Sequence, residues 1–163
     1  MRSQYSYRPR IEALEDRAVP ATISVVSGNL FISNPAGALT ITPQGAGAVK
    51  VADGASTVTV SGVGNGIFVT GSTKADTITL DASTAFAGNV TINGGNGNDT
   101  INLKGTIGGN LTVLGGLGDE TVNVTGALDV GGALTVAGGA GSNDFLMTAK
   151  AIIGGSAALS GIN

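Results

Sequence analysis

The 163 residues include no cysteine, no histidine and no tryptophan. Without cysteine there is no disulfide framework and no thiolate nucleophile. With histidine missing too, ordinary zinc sites and a Ser-His-Asp triad are excluded. Charged residues make up 12% of the chain and aromatics 4%. The net charge is −3 and all four arginines lie before residue 18, so no basic nucleic-acid surface is expected. No apolar run reaches the roughly 18 residues a membrane-spanning helix needs, so no transmembrane helix is expected. Glycine is abundant instead, with 28 residues, well above the usual share of about 7%.

The composition changes near residue 20. Residues 1–17 hold Arg2, Arg8, Arg10 and Arg17 against Glu12, Glu15 and Asp16, which leaves +1. From Ala18 onward four lysines face eight acids, which leaves −4. Ile11 to Arg17 consists mostly of good helix formers, and Pro20 stops a helix there. The segment lacks the apolar stretch of a secretory signal. Residues 1–21 are therefore expected to form a short helical or disordered segment outside the main domain, which covers 22–163.

That domain is a repeat. Gly66–Leu80, Asn89–Leu103, Asn110–Val124 and Ala133–Met147 are each 15 residues long and align without a gap, joined by connectors of eight, six and eight residues. A fifth unit begins at Ser156 and is cut off at Asn163. Asn29–Ile41 and Ala48–Val60 read as shorter, 13-residue versions, so the coil period is expected to run from 18 to 23 residues. Each unit is apolar at positions 2, 4, 13 and 15, as at Val90, Ile92, Ile101 and Leu103. Alternation with period 2 marks strands with one buried face. Glycine-rich corners such as Gly94-Gly95-Asn96-Gly97 separate the two strands. Weaker apolar pairs in the connectors, Leu128 with Val130 and Ala151 with Ile153, suggest a third short strand.

A 15-residue unit cannot bury its own apolar face, whereas stacked copies can. The expected fold is an all-β, right-handed parallel β-solenoid. Its inward columns would include Val90, Leu111 and Leu134, and Ile101, Val122 and Phe145. An antiparallel sandwich is the competing arrangement. The truncated fifth unit leaves an open strand edge, so the chain is expected either to continue or to associate end to end.

Gly94 to Asn102 reads GGNGNDTIN. This resembles the G-G-x-G-x-D-x-U-x nonapeptide of calcium-binding RTX (haemolysin-type) repeats. The resemblance implies calcium held by the Gly95 and Gly97 carbonyls and the Asp99 carboxylate. The other units depart from the pattern. Glu120 takes the aspartate position with Asp119 before it, and Asn143 takes it with Asp144 after it. Asp76 keeps the acid, but Ser72 and Lys74 replace two glycines. Stacking would align Asp76, Asp99, Glu120 and Asn143 about 5 Å apart, and the mutual repulsion of the acids would favour a hard cation. The other reading makes these residues simple turn formers, since Asp and Asn bond their own backbone.

Arg10 to Ala21, RIEALEDRAVPA, looks like the N-terminal segment of large planctomycete surface proteins, related to the LEPR-XLL motif. That resemblance implies export. The expectation is a structural or adhesive module, extracellular or on the cell surface, binding cell-surface or matrix components such as polysaccharide. A calcium-binding segment of a secreted protein and a carbohydrate-active β-helix enzyme are the alternatives. No catalytic residues are expected, because Asp81, Lys104, Asp129 and Lys150 are scattered over the connectors.

Overall fold

The computed structural model describes residues 20–163. The strands in chain order are β1 (Thr22–Val26), β2 (Asn29–Ser33), β3 (Ala38–Gly45), β4 (Ala48–Asp53) and β5 (Ser56–Val60). Then follow β6 (Gly66–Thr70), β7 (Thr77–Phe86), β8 (Asn89–Asn96), β9 (Thr100–Ile107) and β10 (Leu111–Leu117). The last are β11 (Thr121–Val130), β12 (Leu134–Ala140), β13 (Asp144–Met147), β14 (Ala151–Ile153) and β15 (Ala157–Ser160). No helix among these residues is long and apolar enough to cross a membrane. Residues 1–19 of the helical or disordered segment expected at 1–21, and most of the Arg10–Ala21 resemblance, fall outside the described residues, whereas Ala21 packs into the solenoid.

The chain is a β-solenoid of stacked parallel coils. One sheet runs β1-β2-β6-β8-β10-β12-β15 and the other β13-β11-β9-β7-β3-β4-β5. Every pairing from β2 to β15 in the first sheet is parallel, as is every pairing from β3 to β13 in the second. The expected columns form. Val90 pairs with Leu111, and Leu111 with Leu134. Ile101 sits between Ile78 and Val122, and Val122 pairs with Phe145. All of these side chains are buried except Phe145, which is partly so. The connector pairs also make strand contacts: Leu128 and Val130 pair with Gly105 and Ile107 on one side and with Ala151 and Ile153 on the other. A bulge after Val124 turns β11 onto this third side.

The region before Gly66 corrects the repeat count. Asn29–Ile41 is a coil, but its successor is Gly66–Leu80, since Asn29 pairs with Gly66 and Leu39 with Ile78. Ala48–Val60 is an antiparallel ribbon added to the side of β3. The cause lies in the turns. Ala46 and Gly47 both have positive φ, 49° and 73°, and so do Ser27 and Gly28, 49° and 75°. Two such residues in a row make the tight turn that reverses a strand onto itself. The ribbon and the antiparallel β1 cover the first coil. Asp53, at the end of β4, ties them together by accepting from the Ala21 N–H at 2.7 Å and the Ala36 N–H at 3.0 Å.

Candidate functional site

From Gly94 onward each coil turns from the first sheet to the second at a glycine-rich corner, and glycine is required there for two reasons. Gly95 and Gly97 have φ of 101° and 114°, and the later corners repeat this at Gly116, Gly118, Gly139 and Gly141. The first glycine of each corner also points inward against the neighbouring coil. A Cβ on Gly94 would lie 2.5 Å from the Gly115 carbonyl oxygen and 2.6 Å from Asp99 Oδ2. Gly115 and Gly138 face the Gly138 and Gly161 carbonyls in the same way. With no side chain there, the carbonyl of the neighbouring coil and the residue at the aspartate position close directly over the glycine.

That position forms a column inside the solenoid. Asp76, Asp99, Glu120 and Asn143 are all buried, and with Asp53 they are the buried polar side chains of the described residues. Asp99 and Glu120 are each 1% exposed. The sheet register aligns the column, since Thr77, Thr100, Thr121 and Asp144 pair in sequence immediately after it. The eight candidate residues therefore separate. Asp76, Asp99, Glu120 and Asn143 come together, with Gly95 and Gly97 framing Asp99. Asp119 and Asp144 lie outside, exposed to solvent. Asp119 belongs to an outer ladder, donating its N–H to Asn98 Oδ1 at 3.1 Å and accepting from the Ser142 N–H at 2.8 Å. Glu120 turns into the solenoid while Asp119, its neighbour in the corner between β10 and β11, faces solvent.

Hydrogen bonding differs along the column. Asp76 Oδ2 accepts from the Ser72 N–H at 2.5 Å, in the corner where Ser72 and Lys74 replace glycine. Ser72 and Lys74 do not adopt the positive φ of the glycines at the later corners. The first acid is thus held through Oδ2 by its own turn. Asp99 Oδ1 accepts from the Asp76 N–H at 2.8 Å, but Asp99 Oδ2 has no hydrogen-bond partner. Neither carboxylate oxygen of Glu120 has one. Burying an unpaired carboxylate is costly. Burial raises the Asp99 pKa from 3.8 to about 6; the Asp76 N–H opposes this, and the Asp76 charge adds to it. Burial raises Glu120 as well, helped by the charges of Asp99 and Asp119.

The corner lining suits a hard cation. Calcium takes about six to eight oxygen donors and accepts carbonyls among them. The Gly115 carbonyl oxygen comes in from the next coil beside Asp99, and the Gly138 carbonyl oxygen beside Glu120. No three acidic side chains gather at one point among the described residues, so carbonyls would supply most of the coordination. The sequence does not mark the Gly115 and Gly138 carbonyls that the next coil contributes. A backbone oxygen has no residue type to mark it. The only available hint was the inward glycine repeated at the head of each corner. No protein-family description, curated protein or solved structure matches this chain.

Proposed function

We propose that this protein is an exported structural or adhesive β-solenoid module of the cell surface, with calcium stabilising its Asp99 and Glu120 corners. The observation that carries the calcium reading is the set of three buried, unpartnered carboxylate oxygens, Asp99 Oδ2 and both Glu120 oxygens. A bound cation would neutralise the acids, satisfy the orphaned oxygens and tie consecutive coils together. The resemblance of Gly94–Asn102 to RTX repeats supports the same ion, and extracellular fluid is where calcium is plentiful.

The surface reading rests on the resemblance of Arg10–Ala21 to planctomycete surface proteins and on the outer face of the solenoid. Thr79, Asn102 and Asn123 stack on that face, with Asn123 Nδ2 donating to Asn102 Oδ1 at 3.1 Å. Such a ladder offers evenly spaced donors and acceptors to a hydroxyl-rich polymer. Cell-surface or matrix polysaccharide is thus the proposed adhesive partner, and end-to-end association through the β13 and β15 edges the proposed mode of assembly.

Calorimetric titration of the full chain with calcium chloride at neutral pH tests the calcium reading. Saturable binding is expected, and it should disappear in the double variant Asp99→Asn, Glu120→Gln. A wild-type chain that binds no calcium would remove calcium from the proposal.

A further inference from the structure

Asn143 occupies the column position of Asp99 two coils further on, and the two side chains are oriented alike. Asp99 Oδ1 accepts from the backbone N–H of Asp76, one coil back, at 2.8 Å. Asn143 Oδ1 accepts from the backbone N–H of Glu120, one coil back, at 3.1 Å. That bond fixes the Asn143 amide, because the flipped group would set NH2 against N–H. Asn143 Nδ2 therefore stands where Asp99 has Oδ2.

The surroundings of these two atoms correspond as well. Asn143 Nδ2 donates to the Gly161 carbonyl at 3.0 Å and approaches the Gly139 and Gly141 carbonyls at 3.4 Å. Stacking puts the Gly115, Gly95 and Gly97 carbonyls at the equivalent places of the Asp99 corner, and those of Gly138, Gly116 and Gly118 at the equivalent places of the Glu120 corner, where the acid is one methylene longer. Asn143 fills its ring of oxygens with an N–H donor. Asp99 and Glu120 bring only more oxygen to theirs.

We infer that the Asn143 amide is a built-in substitute for the cation, so that its corner is closed without metal while the Asp99 and Glu120 corners depend on one. This rests on the calcium reading for the two acidic corners, but the self-closure of the third does not. The amide also holds the Gly161 carbonyl, and the Asn143 carbonyl accepts from the Asn163 N–H at 2.8 Å. The last strand is thereby fastened to the solenoid in the absence of calcium. The column then has two kinds of corner, one that responds to calcium and one that does not.

Two opposite substitutions in the full chain test this, each prepared in calcium and then transferred to EDTA. Asn143→Asp replaces the donor with a carboxylate oxygen. It should lower the Tm in EDTA by about 5 °C or more, speed hydrogen exchange over residues 157–163, and raise the calcium stoichiometry by one. Asp99→Asn supplies the missing donor, and should raise the Tm in EDTA and lower the stoichiometry by one. If the wild type binds no calcium yet the two Tm shifts in EDTA keep these signs, the calcium reading fails and the amide closure stands. If Asn143→Asp is as stable as wild type in EDTA, or Asp99→Asn is no more stable, the inference is overturned. Should Asn143→Asp fail to fold even with calcium, Asp99→Asn alone decides by the same criterion.

Discussion

The Asp76 N–H reaches across to Asp99 Oδ1, 2.8 Å away in the next coil, and so holds one acid of the column directly beside another. The bond satisfies one oxygen of Asp99 and leaves the other bare. The facing groups are Asp76 on one side and Glu120 on the other, with Asn143 beyond it, and among the described residues no cationic side chain is buried. The column stores unfavourable electrostatic energy that a proton or a cation can release.

A pH dependence follows. Folding raises the Asp99 pKa from 3.8 to about 6, so across that interval the folded protein holds more protons than the unfolded chain. Stability must then fall as pH rises through the interval. Glu120 is shifted in the same direction and adds to the effect. Asp81 works the other way. Its hydrogen bond from Ser83 and its 3.0 Å ion pair with Lys104 lower its pKa, so its contribution is lost only in stronger acid. Urea unfolding in EDTA is expected to show the protein about 1–3 kcal/mol more stable near pH 5 than near pH 8. Equal or greater stability at the higher pH would contradict the assignment.

The strand phase predicts a large contrast between two neighbours. Ile101 is fully buried between Ile78 and Val122. Ile101→Asp should cost about 3–5 kcal/mol by burying an unpaired charge. Asn102 lies on the outer face, where Asn102→Asp keeps the acceptor used by Asn123 and should cost under about 1 kcal/mol. Chemical denaturation that ranked these two the other way round would refute the phase.

Glycine tolerance maps the corners. In Gly94→Ala the new methyl would press on the Gly115 carbonyl and on Asp99 Oδ2, at 2.5 and 2.6 Å. A loss of about 2 kcal/mol or more is expected, since a backbone carbonyl cannot step aside. Gly64 has open space around it and no positive φ. Gly64→Ala should be neutral, or stabilising by about 0.5 kcal/mol, through the unfolded chain. Thermal melts of the two variants should differ clearly, and identical melts would mean that the corner is not packed as described.

Much of this architecture was legible in the sequence because a stacked coil repeats its sidedness. Val90, Leu111 and Leu134 are found in one column because each is the second residue of its unit. The same regularity misled at Ala48–Val60. An antiparallel ribbon alternates as a coil strand does, and the difference lay in the Ala46-Gly47 reversal, where alanine gives little warning of a positive φ. The site was half legible. Gly94–Asn102 marked Asp99, but the residues on either side of the column position, Asp119 and Asp144, joined the candidates only by proximity in sequence. Hydrogen bonding separates them, and residue spacing does not record it.

The far end of the solenoid should be adhesive. β13 and β15 each have a neighbour on one side only. Met147, Ile152 and Leu159 are about half exposed there, at 54%, 49% and 50%. Open edges with apolar neighbours pair with other chains. Light scattering of the 163-residue chain should show its mass rising with concentration, and Leu159→Lys should suppress the rise. A monomer at every concentration would rule out association through this end.

The most direct test of the calcium column is thermal unfolding of the full chain at neutral pH in EDTA, in excess magnesium and in excess calcium. Calcium should raise the Tm strongly, because the free energy of binding adds to that of folding. Magnesium should do little, because it demands small, near-octahedral coordination and keeps its water. In the Asp99→Asn, Glu120→Gln double variant, the EDTA melt should move up towards the calcium-loaded wild type and calcium should add nothing. A wild-type Tm that is the same in EDTA and in calcium would contradict the account.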